Sequence, residues 1–171
     1  MATTNDILLD AFGRVDEGVR ALLDSVPTDE LNVRPDGTGN PIGWLVWHLL
    51  RVQDDHLAEV AERQQVWLAG GWFERFGLPF PPAAHGYGFT SEQVDDTRFD
   101  GTELLAGYQA EVHEMTVTVL GDITAGRLDD IIDDRWDPPV TVAVRMVSVV
   151  EDCLQHLGQA NYVAGLLADR R

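Results

Sequence analysis

Apolar residues recur with a helical period along four stretches of the chain. In the first, residues 5–25, Ile7, Leu8, Ala11, Phe12, Val15, Val19, Leu22 and Leu23 fall on one face, the spacing of an amphipathic helix. Asn5 or Asp6 is placed to cap it. The second stretch opens on Asn40 and Pro41, a capping residue followed by proline in the first turn. It carries Ile42, Leu45, Val46, Leu49, Val52, Leu57, Val60 and Ala61 and is expected to run to Ala69, Gly70 and Gly71. The third, residues 101–120, places Leu104, Leu105, Tyr108, Val112, Met115, Val119 and Leu120 on its apolar face, and Gly121 ends it. The fourth, residues 141–168, repeats Val142, Met146, Val149, Val150, Cys153, Leu157, Ala160, Val163, Ala164 and Leu167.

The connections are polar or broken by glycine and proline. Pro27 starts a short turn reaching Leu31, and residues 34–40 form a loop. Residues 129–139 read as an acidic, proline-containing linker that leads rigidly into the fourth helix through Trp136, Asp137, Pro138 and Pro139. Residues 70–100 differ. Glycines and prolines there alternate with Trp72, Phe73, Phe76, Phe80, Tyr87 and Phe89, so the segment is expected to pack down, with short helical pieces near 72–76 and 91–95. A connection of this length in a compact domain is uncommon and points to a crossover or a functional loop. No stretch makes a convincing strand. The prediction is therefore an all-α fold, a four-helix bundle in one domain over residues 1–171, with a long crossover between the second and third helices.

Charge narrows the partners. Asp and Glu number 29 against 12 Lys and Arg, a net charge of −17. Nucleic acid is excluded as a partner, because phosphate contacts need basic surface, and an anionic membrane surface is disfavoured. No apolar run reaches transmembrane length. One cysteine, Cys153, excludes an internal disulfide. With no signal-peptide pattern at the N-terminus, a cytoplasmic protein is expected. Apolar flanks of the bundle allow it to pair as a homodimer.

The candidate chemistry lies on the second and fourth helices. Asp152 and His156 are four residues apart, on one helix face, and such a pair can chelate a divalent metal. His48, in the apolar middle of the second helix, is available as a third ligand. Three protein ligands with one open position is the usual catalytic zinc arrangement. Asp55 lies about 20° off the His48 face, whereas His56 is turned about 80° away and makes a poor co-ligand. Glu151 is a poorer alternative to Asp152. Arg145 shares the Asp152 face, two turns earlier, and can anchor an anionic substrate group or pair with Asp152 or Glu151. His85 reads as an exposed loop residue, with lining a pocket as the alternative, His113 as part of a solvated face, and Cys153 as a small buried hydrophobe. Spacing alone leaves two readings open: a metal site, or a hydrogen-bonded core histidine beside a chance acid–histidine pair.

Two segments resemble a known family. These are residues 40–49, Asn-Pro-Ile-Gly-Trp-Leu-Val-Trp-His-Leu, and residues 151–160, Glu-Asp-Cys-Leu-Gln-His-Leu-Gly-Gln-Ala. They resemble the DinB-like four-helix metalloproteins, including the actinobacterial mycothiol-dependent S-transferases and their maleylpyruvate isomerase-like branch. The resemblance implies that His48, Asp152 and His156 bind one divalent metal, zinc or nickel. An acid at position 152, where many members carry histidine, points to the mycothiol-dependent branch. The implied activity is transfer of a low-molecular-weight thiol, such as mycothiol, to a small electrophile, with Trp44, Tyr108 and Arg145 around the substrate. A metal-dependent hydrolase using Asp55 as general base, and a non-enzymatic metal-binding or stress-response bundle, are the alternatives.

Overall fold

The computed structural model describes residues 1–169. Four long helices form the frame: α1 Thr4–Ser25, α2 Ile42–Val60, α6 Glu103–Asp122 and α7 Val142–Ala168. Three short helices lie between α2 and α6: α3 Val66–Ala69, α4 Trp72–Phe76 and α5 Ser91–Asp96. The expected crossover is therefore present, with its short helical pieces close to where the sequence places them. No described helix is long and apolar enough to cross a membrane.

Helix α2 is the centre of the bundle. It packs most extensively on α7, then on α6, while α1 lies against α6 and α7. The crossover covers its remaining side through contacts such as Trp47 with Trp67 and Phe89. Nearly every α2 residue from Ile42 to Val60 is consequently buried, including His48, Arg51, Gln53 and Asp54. Polar groups in such a position must find partners. Gln53 donates to Thr116 Oγ1 at 2.7 Å, and Asp54 accepts from Tyr108 Oη at 2.7 Å.

Local details depart from the sequence reading in four places. Helix α2 stops at Val60 rather than near residue 70. The Asp54 carboxylate accepts the backbone N–H groups of Val66 at 2.8 Å and Trp67 at 2.7 Å. It thereby caps α3 from the side, and the chain turns back through Glu62 at a φ of 52°. Asn40 makes no cap, since α2 begins after Pro41 without a side-chain cap bond. Thr3, not Asn5 or Asp6, caps α1, with Asp6 completing a capping box. Asn5 instead ties α1 to α6 and the turn after it, donating to Leu120 O and Ile123 O at 2.8 Å each. Finally, part of the supposed linker pairs as an antiparallel ribbon, β1 Ile131–Asp133 with β2 Val140–Thr141. Thr141 then caps α7 through its side chain.

Candidate metal centre

His48 on α2 and Asp152 and His156 on α7 come together. The candidate ligand atoms of the three all lie within 4.8 Å of one another, and no other such cluster occurs among the described residues. His156 Nε2 is 3.5 Å from Asp152 Oδ1. Two ligands on one tetrahedral zinc, with bonds of about 2.1 Å, are separated by about 3.4 Å. The i,i+4 pair thus already stands at chelating separation. The His48 and His156 rings meet edge to face, with centroids 4.6 Å apart.

A hydrogen bond on the far side of the His48 ring fixes its tautomer. His48 Nδ1 donates to the backbone carbonyl of His85 in the crossover. A carbonyl can only accept, so Nδ1 holds the proton and Nε2 keeps its lone pair. His156 Nδ1 lies 2.9 Å from Gln159 Oε1 on the far side of its ring, while its Nε2 faces Asp152. Metal-ligating histidines are oriented in this way by their other nitrogen. Burial lowers the His48 pKa against the opposing pull of the His85 carbonyl, which keeps the ring neutral. The hydrogen bond to Asp152 raises that of His156. At Asp152 burial is the largest influence and pushes upward, but the hydrogen bond to His156 and the charges of His156, His48 and His56 together outweigh it, and the carboxyl stays below its ordinary range.

One carboxylate oxygen tests whether a cation fits. Asp152 Oδ2 is buried and has no hydrogen-bond partner among the described residues. A buried unsatisfied acceptor is costly, and a cation held by Asp152 and two imidazole lone pairs would satisfy it. The donor set, two nitrogens and a carboxylate, suits zinc and several other divalent metals. This cluster could hold a metal ion.

The cluster opens on a cleft of about 580 Å³, lined by His48 and Asp152 together with His56, Glu59, Asp133 and Arg145. Arg145 is where the sequence expectation put it, beside the candidate ligands, but its ionic partners are others. It lies 3.3 Å from Glu59 and 3.5 Å from Asp133, not against Asp152 or Glu151. Its Nε is buried without a partner among the described residues. Trp44 lies flat on His48, with centroids 4.8 Å apart, and meets His156 edge-on. It is 5 % exposed and backs the ligand rings rather than lining the cleft.

Tyr108 corrects the expectation outright. It is fully buried, and its hydroxyl is bonded to Asp54 at 2.7 Å and Arg51 at 3.3 Å. It anchors the core and does not reach the cleft. His113 is not on a solvated face either: it is partly buried, with Nδ1 3.7 Å from Asp16 on α1. Cys153 is fully buried, and burial pushes its thiol pKa up, which removes it as a nucleophile.

Several cleft residues were not visible in the sequence. His56 is off the His48 face, yet its ring lines the cleft, and its Nδ1 lies 3.8 Å from Asp55 and 3.7 Å from Glu59. Asp133, Arg135 and Trp136 reach the cleft because the 131–141 segment turns back as a ribbon. Tyr87 comes from the crossover, next to His85, the loop histidine for which the sequence left a pocket-lining place open. Gly86 is the one signal that could have located this contact. Its φ is +96°, and a Cβ there would stand 2.8 Å from His48 Nδ1 and 3.1 Å from Trp44. Only glycine lets the backbone pass this close over the candidate ligand.

Comparison with known proteins agrees with this architecture. A conserved protein from Enterococcus faecalis, known from its crystal structure, superposes with a TM-score of 0.91 at 28% sequence identity, over 99% of each chain. No curated protein matches the chain. The family model described as the DinB superfamily matches residues 11–160, a span that includes all four long helices in whole or part and the whole candidate metal centre, and the chain belongs to that superfamily.

Proposed function

We propose that this protein is a divalent-metal-dependent S-transferase that joins a low-molecular-weight thiol to a small electrophile. The observation that carries the reading is the convergence of His48, Asp152 and His156, two of which, His48 and Asp152, line a cleft of small-molecule size. A divalent cation bound there, zinc or nickel, would act as a Lewis acid and lower the pKa of a thiol. Two neutral imidazoles and one carboxylate would leave such a site net positive, which favours an anionic sulfur. Mycothiol is the thiol implied by the acid at position 152.

The remaining groups of the cleft have assignable tasks. His56 is the proton acceptor. Its Nδ1 is buried without a hydrogen-bond partner among the described residues, and burial together with Arg145 lowers its pKa, so it is neutral and able to take the thiol proton. Asp55, the base suggested by helix-face geometry, instead accepts a hydrogen bond from Gln65 and stands beside His56. Arg145, with its free Nε, orients an oxygen of the electrophile. Tyr87 and Trp136 wall the cleft mouth.

The Asp55–His56 pair supports a second reading, a metal-dependent hydrolase in which the same imidazole activates water. One experiment separates the two. Zinc-loaded protein is incubated with a panel of electrophiles and esters, with and without mycothiol, cysteine and glutathione, while thiol loss and acid release are followed. Metal-dependent thiol loss that disappears in His48→Ala supports the transferase. Acid release without thiol loss supports the hydrolase, and neither supports a non-enzymatic metal-binding bundle.

A further inference from the structure

Arg51 is fully buried on α2, one turn beyond His48. A buried guanidinium is expensive unless its donors are used, and here they are. Nε donates to Ala84 O at 3.2 Å and one terminal nitrogen to Pro82 O at 3.3 Å. The other terminal nitrogen donates to Gln65 Oε1 at 2.9 Å and to Tyr108 Oη at 3.3 Å. That nitrogen also lies 3.6 Å from Asp54, and the guanidinium stacks over Trp67 with 4.7 Å between Cζ and the ring centroid.

Two of those bonds go to backbone carbonyls of the crossover immediately before His85. The next carbonyl in line, that of His85, accepts the Nδ1 proton of His48. The crossover reaches His48 only because Gly86 lacks a side chain. The chain of contacts is therefore continuous: Arg51 fixes residues 82–84, this places the His85 carbonyl, and the carbonyl fixes the tautomer and ring angle of His48. A mere tether for the loop would not need to sit one turn from a candidate ligand on the same helix. Here the anchor and the ligand share one rigid element, so the distance between carbonyl and imidazole cannot drift.

We propose that Arg51 is a positioning residue for the metal centre, holding the 82–86 segment as a carbonyl clamp that presents His48 with Nε2 free. The inference rests on the reading of His48, Asp152 and His156 as a metal site. Groups that orient a ligating histidine from behind typically change metal affinity by about 10–100-fold when removed.

The test uses Arg51→Lys, which keeps the charge but cannot fork between two carbonyls, and Gly86→Ala, whose Cβ would press on His48 Nδ1 and displace the His85 carbonyl with Arg51 itself unchanged. Zinc affinity is measured by competition with a chromophoric chelator. The protonation of His48 is read in the metal-free protein from ring nitrogen shifts by NMR. Asn5→Ala, which removes two hydrogen bonds at a distant helix end, serves as the control for stability loss alone.

The expected result is a loss of zinc affinity of about 10-fold or more in both clamp variants, with the Nδ1–H signature of His48 weakened in both and neither effect in Asn5→Ala. Wild-type affinity and an unchanged His48 signature in a folded clamp variant would overturn the proposal. Should Arg51→Lys fail to fold, Arg51→Gln takes its place under the same readouts, because Gly86→Ala reports on the His85 carbonyl and not on Arg51. Should the wild type bind no zinc, the metal reading falls, and the nitrogen shifts still decide whether the clamp sets the tautomer.

Discussion

Trp44 lies parallel to His48, with planes 15° apart and centroids separated by 4.8 Å. One turn of α2 separates the two residues, so the stack follows from the helix itself. The indole also meets the His156 ring edge-on, with centroids 6.3 Å apart. Trp44→Ala is expected to destabilise the fold by about 3–5 kcal/mol, the usual cost of deleting a buried tryptophan, and to weaken metal binding because both rings lose a wall. Trp44→Phe should keep most of the stability. Denaturant unfolding and zinc competition on the two variants separate packing from ligand support.

Metal binding should appear as stability. A ligand that binds only the folded state at about 100 times its Kd stabilises by about 2.7 kcal/mol. Excess zinc or nickel is expected to raise the melting temperature, and a chelator should reverse the rise. In Asp152→Asn the 3.5 Å contact with His156 loses its charge, a half-buried pair of modest worth, about 1 kcal/mol or less. The metal-dependent increment should vanish altogether. An Asp152→Asn protein still stabilised by zinc to the wild-type extent would rule out Asp152 as a ligand.

Tyr108 should be separable from the site. Tyr108→Phe removes a hydroxyl that donates to the buried Asp54 carboxylate at 2.7 Å. Hydrogen bonds to charged groups are worth about 1.5–3 kcal/mol, and a loss of that size in denaturant unfolding is expected. Zinc affinity should stay near the wild-type level, because Arg51 keeps its bonds to the Ala84, Pro82 and Gln65 oxygens when the tyrosine hydroxyl is gone.

The contrast between Tyr108 and the His48, Asp152 and His156 cluster shows what the sequence could carry. The cluster was legible because an i,i+4 pair on one helix and a histidine in the apolar middle of another are local patterns, and a bundle brings such faces together. Tyr108 sits at an apolar helical position that core and pocket residues share, so periodicity could not assign it. Helix α2 is buried on every side, which erases the face signal that would have marked Arg51 and Asp54 as a network. Its end at Val60 was hidden because Val66 and Trp67 continue the apolar pattern across the turn. What stops the helix there is a contact from Asp54, twelve residues before Val66. The ribbon that carries Asp133 and Trp136 to the cleft is too short for strand periodicity to register.

The metal-free protein should lose stability as pH falls below about 6.5. His48 and His56 both have folded-state values below the ordinary 6.5, in each case chiefly through burial. Between those lowered values and 6.5 the unfolded chain binds more protons than the folded one, so stability rises with pH there, by at most about 1.4 kcal/mol per pH unit for each proton. His156 is shifted upward by Asp152 and acts in the opposite sense. Its contribution is complete below 6.5 and is lost as pH rises through its folded value. The stability curve of the metal-free protein should therefore fall on both sides of a maximum near 6.5. His56→Gln should flatten the acidic limb and leave the other untouched, while zinc uptake persists because His56 is not among the candidate ligands. Urea midpoints of both proteins from pH 5 to 8 would show it. An unchanged acidic limb in His56→Gln would mean that His56 is not held neutral by the fold, and would remove it as the proton acceptor of the cleft.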